Sequence, residues 1–357
     1  LKAIMKWGLL SLCTIAAVFL MSGISKAFIH EEPDQLSLKM GSQSTIQAVV
    51  SQLPGSAIVD EENLILSVPY GRVDDYRKLA VKLPGVLKTF VVPLDKPEIS
   101  FRYYWLSVKD LLHNYSHGDL GLIRTTSNYD IPVTDMLKET VARTSLYLIP
   151  GLIVGVLLSV LLSLLASIRR GIGKVTDSVH ALLSGLPDFL LIILIQLASI
   201  YLTRLTGRNV ILVAQFGDEI PFVIPFLTIT FIPGLLIYGT LRMAIERELS
   251  QDYITTALAK GLSKRNVLLR HVLRNIMEDL LTVLPKATTL ALASMAVAEA
   301  ICDILGLGGY IVSPRMQNIS ATPTICIVLA IFSILFHILY ALLGKLFVVR
   351  VGDGVQP

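Results

Sequence analysis

An all-α membrane protein is the fold class this sequence predicts, with six transmembrane helices and a small α+β extracytoplasmic insertion between the first and the second. Three observations predict it. The chain of 357 residues is 53% hydrophobic and only 16% charged, against about 25% charged residues in a typical soluble domain, and its mean hydropathy is +0.67. It holds repeated runs almost free of charge, of the roughly 20 residues that a helix needs to cross a bilayer core about 30 Å thick. Its basic residues gather on alternate connections between those runs. The composition excludes a disordered chain, and 3 cysteines exclude a disulfide-stapled secreted scaffold. A net charge of +4 gives no pointer to nucleic acid, so where the charges sit matters more than their sum.

The first span is read at residues 7–25. Lys2, Lys6 and the apolar stretch to Met21 share features with a secretory signal. The run is longer than a usual signal core, however, and Gly23-Ile24-Ser25-Lys26-Ala27 is only a passable cleavage site, so a retained helix over 1–25 is expected. Cys13 follows Leu12, a poor fit to a lipoprotein signal, and is read as a packed helix residue.

Residues 26–143 have a soluble composition, with 13 basic and 15 acidic side chains. Ala57-Ile58-Val59 and Leu64-Ile65-Leu66-Ser67-Val68 flank Asp60-Glu61-Glu62-Asn63, which reads as a hairpin with a polar turn. Val73, Tyr76, Leu79, Ala80 and Leu83 then recur at helical spacing, and 85–92 reads as a strand. A ββαβ module at 55–95 is therefore expected, serving as a spacer or docking surface rather than a ligand site. His113 and His117 are spaced to chelate a metal if helical. Gly118 and Asn114-Tyr115-Ser116 point to a helix end instead, and no metal site is expected.

The membrane core is expected at 144–350, followed by a tail at 351–357. Its spans are read at 144–168, 181–203, 220–241, 280–301 and 316–344. Asp188 follows Pro187 near the start of one span, where a first-turn acid suits the helix dipole. The 280–301 span carries Lys286 and Glu299, and a charge at mid-bilayer costs about 2.5–3.5 kcal/mol. Lys286 can snorkel inward and Glu299 can lie near the outer end. Thr288, Thr289, Ser294 and many alanines make this a small, partly polar helix suited to a bundle interior. Thr288, Thr289, Ser294 and Glu299 are the candidate translocation-path residues.

Charge sets the orientation. With both termini in the cytoplasm, the inner segments hold Lys2, Lys6, Arg169, Arg170, Lys174, Arg242, Arg247, Lys260, Lys264, Arg265, Arg270, Arg274, Lys345 and Arg350. The two short outer loops hold only Arg204, Arg208 and Arg315.

The largest inner loop is read at 242–278, and its middle is helix, turn, helix. Ala257, Leu258 and Ala259 favour helix. Gly261 can adopt the left-handed conformation that ends it, and Ser263 is a good N-cap for the second helix. Lys264, Arg265, Arg270 and Arg274 dominate the polar surface of that second helix, whose apolar side carries Val267, Leu268, Val272 and Leu273. Small residues at Ala257, Ala259 and Gly261 permit close approach by another protein. A basic amphipathic loop lying on lipid headgroups has the same composition.

Order within this loop separates the two readings. Asp252, Tyr253, Thr256, Ala257, Ala259, Lys260, Gly261, Leu262 and Ser263, followed by Arg270, His271, Leu273, Arg274 and Asn275, stand in the arrangement of the EAA loop. The chain thereby resembles permeases of the dipeptide/oligopeptide/nickel branch of the ABC importers. Thr255 stands where the general EAA consensus has Glu, as is usual in the peptide branch. His117-Gly118-Asp119-Leu120-Gly121, with Pro132, Val133, Glu139, Thr144 and Leu146, resembles the block before the second helix in that family. Ala298-Glu299-Ala300-Ile301 with Gly306-Leu307-Gly308 resembles a block after the fifth, although Leu305 replaces a frequent Pro. The outer segment is longer than is usual there.

The resemblance implies the type I ABC-importer permease fold and a binding-protein-dependent importer of di- or oligopeptides in a bacterial cell membrane. It implies a second homologous permease subunit, two cytoplasmic ABC ATPase subunits and an extracytoplasmic substrate-binding protein as partners, with no cofactor. It makes Asp252, Tyr253, Thr256, Ala257, Ala259, Lys260, Gly261, Leu262 and Ser263 the ATPase-coupling residues. The chain has no G-x-x-x-x-G-K-[ST] loop to cradle ATP and no Ser/His/Asp or metal constellation, so it is read as a transport subunit and not an enzyme. A permease for nickel or another small solute, or a membrane-anchored sensor, are the alternative readings; six spans and the loop weigh against the sensor.

Overall fold

The computed structural model describes residues 2–41, 45–124, 130–209, 211–217, 219–313 and 320–347, without the side chains of residues 2–8, 124 and 347. Arg315, the first residues of the expected 316–344 span, Arg350 and the 351–357 tail lie outside the described residues, as do the Lys2 and Lys6 side chains. The chain divides into two compact units, Ala16–Leu120 and Leu1–Ile15 with Gly121–Pro357. Helix α1 (Lys2–Ser22) contributes residues to both.

Within Ala16–Leu120 the chain forms β1 (Phe28–Met40), α2 (Ile46–Val50), β2 (Ala57–Asp60), β3 (Ile65–Ser67), α3 (Val73–Ala80), β4 (Val86–Ile99) and α4 (Phe101–Ser116). The four strands make an antiparallel sheet in the order β2-β3-β1-β4. Strand β1, absent from the expected ββαβ module, thus lies in its middle. Leu36 faces Leu66 on one neighbour and Val91 on the other. Leu36, Leu38, Leu66, Val68 and Val86 form a core with Ile46 and Val49 of α2 and Val73 and Ala80 of α3. Asp60 Oδ1 accepts from the backbone N–H of Glu62 and Asn63 at 2.9 and 3.1 Å, which closes the turn between β2 and β3. Ser100 Oγ accepts from the Tyr103 N–H at 3.2 Å and starts α4.

The second unit opens with a small hairpin, β5 (Leu122–Arg124) and β6 (Asp130–Pro132), whose Pro132 leads into α5 (Val133–Ile168). Beyond it come α6 (Arg170–Ser184), α7 (Asp188–Thr206), α8 (Val223–Leu249), α9 (Asp252–Ala259), α10 (Lys264–Val267), a π-helical turn (Leu268–Val272), α11 (Leu273–Ile301), α12 (Gly309–Val312) and α13 (Thr322–Phe347). Among the described residues five helices are long and apolar enough to cross a membrane, and Leu9–Ser22 of α1 is a shorter apolar helix. Only 6% of the most apolar window of α13 is buried, so its apolar surface points away from the protein.

Two boundaries differ from the sequence reading. The 181–203 run is broken, because α6 ends at Ser184 and Pro187 caps the separate helix α7. Proline lacks the N–H that a continuous helix would use and disfavours helix in the residue before it. The 242–278 loop is also shorter, since Arg242–Leu249 are the last turns of α8 and Glu278 lies within α11.

Helix α8 packs between α5 and α11, and small residues let the first pair approach closely. A Cβ on Gly155 would come within 2.8 Å of the Thr230 carbonyl, and one on Gly151 within 3.0 Å of Ile229. Ser159 Oγ donates to the Gly234 carbonyl at 2.8 Å, and Thr230 Oγ1 to that of Gly151 at 3.3 Å. Small residues with short interhelical hydrogen bonds drive association where the surrounding solvent is itself apolar.

Candidate functional site

The region between α8 and α11 is built by local rules. Helix α9 ends where Gly261 takes φ +83°, a conformation that costs a residue with Cβ about 1–2 kcal/mol. The Leu262 N–H returns to the Ala257 carbonyl at 3.3 Å. Ser263 Oγ then accepts from the Asn266 N–H at 3.3 Å and starts α10. Ile254, Val267, Leu268 and Val272 turn inward onto Leu241, Ala244, Ile245 and Ile276. The opposite side is open: Asp252, Tyr253, Thr256, Ala259, Lys260, Gly261, Leu262 and Ser263 are exposed, and Ala257 is partly buried. Lys264, Arg265, Arg270 and Arg274 are exposed beside the apolar Leu258, Leu262 and Leu269. The result is an exposed protrusion with a buried apolar back, a small-residue tip, apolar patches and a basic flank.

Its base is fastened by groups far apart in sequence. The Tyr253 hydroxyl donates to Glu248 Oε1, and Asn275 Nδ2 donates to the same carboxylate oxygen and to the Tyr253 oxygen at 3.2 Å. Arg247 pairs with Asp279 at 2.7 Å. These two sets tie the end of α8 to α9 and to the start of α11. Desolvation, with the neighbouring Glu248 carboxylate next in weight, pushes the Tyr253 hydroxyl up to about 12, so it stays a donor at physiological pH. Tyr253 and Asn275 belong to the sequence motif, whereas Glu248 and Asp279 lie outside it.

A second junction joins α5, α6 and α8. Arg242 Nε and Nη2 donate to Asp177 at 3.1 Å each, Nη1 reaches Ser167 Oγ at 3.1 Å, and the Tyr238 hydroxyl donates to Asp177 Oδ1 at 2.6 Å. The hydrogen bonds from Arg242 hold the Asp177 carboxyl below its usual range, against a smaller opposing effect of burial. In the sequence Arg242 stands out only as an inner-side charge.

The four candidate path residues have separate surroundings. Thr288 is buried and shares a hydrogen bond of 2.6 Å with the Tyr340 hydroxyl. Thr289 is exposed and donates to its own helix, at the Pro285 carbonyl. Ser294 is buried and donates to Asp188 Oδ2 at 2.8 Å. Glu299 is fully buried. Its Oε1 accepts from Thr144 at 2.8 Å and from Tyr147, and its Oε2 accepts from the Gly309 N–H at 2.8 Å. Glycines wrap this carboxylate, since a Cβ on Gly306 would fall 2.1 Å from Oε1 and one on Gly308 would fall 2.3 Å from Ala296 Cα. The polar character of this helix is therefore spent largely on interhelical fastening. Among the described residues no group of three His, Cys, Asp or Glu side chains is placed to hold a metal.

A family model described as "binding-protein-dependent transport system inner membrane component" matches residues 151–353, more than half of the chain. The dipeptide transport system permease protein DppB of Bacillus subtilis is 32% identical over 135 residues, 36% of this chain and 44% of that protein. DppB of Lactococcus lactis is 27% identical over 174 residues, 46% of this chain and 57% of that protein. The oligopeptide transport system permease protein AmiC of Streptococcus pneumoniae is 27% identical over 169 residues, 45% of this chain and 33% of that protein. The chain thus spans about half the length of the curated relatives it matches, or less.

Proposed function

We propose, from the premise that this chain belongs to the family of binding-protein-dependent transport system inner membrane components, that it is the permease subunit of an ATP-driven importer of di- or oligopeptides. In this reading α1 joins the five long apolar helices as a sixth span, both termini are cytoplasmic, and residues 26–143 form the extracytoplasmic segment. A second, homologous permease subunit completes the gate. Two cytoplasmic ABC ATPases supply the energy, and an extracytoplasmic binding protein supplies the peptide.

The observation that carries this reading is the protrusion at 252–275. An exposed small-residue tip, backed by a buried apolar face and clamped at its base, is suited to transmit force from a separate protein. Closure of the ATPases would move the tip, and the clamps at Glu248–Tyr253–Asn275 and Arg247–Asp279 would pass that movement into α8 and α11 as alternating access. Gly261 sets the turn, the small side chains set the fit, and Lys264, Arg265, Arg270 and Arg274 add charge contacts.

Cysteine crosslinking tests it. With the native cysteines replaced, Leu262→Cys should crosslink to a copurifying ATPase and resist membrane-impermeant thiol reagents applied from outside. Gly261→Asp should abolish peptide uptake while leaving membrane insertion intact. Labelling of Leu262→Cys from outside, or wild-type uptake by Gly261→Asp, would overturn the assignment.

A further inference from the structure

Strand β4 is an edge of the four-stranded sheet. On its inner side Phe90 pairs with Ser37 and Lys88 with Lys39 of β1. Leu38, opposite Thr89, instead donates its N–H to Leu64 on the far side of β1. Backbone groups alternate in direction along an antiparallel strand. The N–H and C=O of Thr89 are therefore directed to the open edge, and by the same parity so are those of Val91, which faces Leu36.

Beside that edge lies a shallow cleft of about 570 Å³, with the end of α3 and the turn after it as the opposite wall. Its floor and rim carry Val81, Leu87 and Phe90, each at least half exposed. The ionisable residues lining it are Arg77, Lys78, Lys82 and Lys88, all cationic. Arg77 is engaged by Asp74 at 3.2 Å within α3. Lysine on an edge strand can serve simply to discourage self-association. Three exposed apolar side chains in the same cleft work against that purpose.

We propose that this cleft docks an extended acidic segment of a partner protein. The segment adds to the β4 edge as a fifth strand, with main-chain hydrogen bonds to Thr89 and Val91. Its carboxylates, on the face turned toward α3, meet Lys78 and Lys82, and its alternate apolar side chains cover Phe90 on the opposite face. Charge selects the class of occupant. A free short peptide brings an ammonium terminus, for which the cleft offers cations only, whereas an internal acidic segment has no such terminus. A lipid surface could satisfy the lysines but could not complete the strand edge.

The test uses the full chain in detergent and a fluorescent peptide of alternating valine and glutamate, blocked at both ends. Anisotropy should report saturable binding that weakens with salt, while the corresponding valine–lysine peptide should not bind. Lys78→Glu combined with Lys82→Glu should weaken binding about tenfold, as loss and reversal of two rim charges would. Thr89→Pro, which removes an outward N–H and no β1 bond, should weaken it as well. Equal binding of both peptides, or unchanged affinity in the charge-reversed variant, would overturn the proposal. So would a full chain in nanodiscs of neutral lipid that ignores the peptide yet gathers phosphatidylglycerol vesicles through these lysines.

Discussion

Thr144 of α5 donates to Glu299 Oε1 of α11 at 2.8 Å, across 155 positions of sequence, while its oxygen accepts the Leu307 N–H at 2.9 Å. One hydroxyl thus joins two long helices and the glycine turn that follows the second. Thr144→Val keeps the shape and removes both bonds, leaving a buried N–H unpaired at a cost of about 1–3 kcal/mol. A lowered thermal midpoint of the purified chain, restored by Thr144→Ser, is the expected result.

The glycines around Glu299 make a sharper prediction. A Cβ at Gly308 would lie 2.3 Å from the Ala296 Cα, a backbone atom that cannot step aside. Gly308→Ala should therefore destabilise the chain by about 2–3 kcal/mol, in the range of overpacking in a close-packed interior. Gly344→Ala, inside α13, meets nothing within 4 Å and should not lower the midpoint. Thermal denaturation followed by thiol exposure of the buried Cys302 distinguishes them.

At the base of the protrusion, Tyr253→Phe removes the hydroxyl that serves Glu248 and receives Asn275. The loss should be modest in global stability, about 1 kcal/mol, because these groups are partly exposed. Hydrogen exchange should rise in α9 and the Gly261 turn and remain unchanged in α5. Under the proposed function, ATP hydrolysis in the assembled complex should become less dependent on peptide-loaded binding protein. Unchanged exchange in α9 would remove the clamp from the mechanism.

Asp177 gives a pH dependence of defined sign. Its carboxyl is held below the ordinary range chiefly by hydrogen bonds from Arg242. A carboxyl with a depressed folded-state pKa contributes stability that is present above the unfolded value of about 4 and is lost as pH falls through the folded value. The wild-type midpoint should therefore drop on acidification below about pH 4. Asp177→Asn should start lower at neutral pH and lose less over the same interval. Because the side chain is 42% exposed, the difference should be small and should shrink in salt.

Periodicity and charge made most of the membrane part legible, because a run free of charge over a bilayer's width has few other uses. The helix–turn–helix was legible too: Gly261 and Ser263 act through local backbone geometry, and sequence order carries that information. Strand β1 was not. Its first half, through Glu31, Glu32, Pro33 and Asp34, lacks apolar alternation, and its place is set by partners at 65–67 and 86–99. Glu299 illustrates the same limit. Its residue type suggested an outer-end charge or a path group, but the donors that bury it come from Thr144, Tyr147 and Gly309. The nearby glycines were visible as a motif, and only the packing explains why they are glycine.

The helical stretch Lys264–Ile301 has 38 residues, which at 1.5 Å per residue makes a shaft about 57 Å long. One end carries the Gly261 turn and the other is pinned at Glu299. A shove of about 5 Å at the free end then needs a tilt of only about 5° about the pin, by the same length. The ladder is interrupted at Pro285 and locally altered at the Leu268–Val272 π turn, so these are the joints where such a lever would flex instead of turning whole.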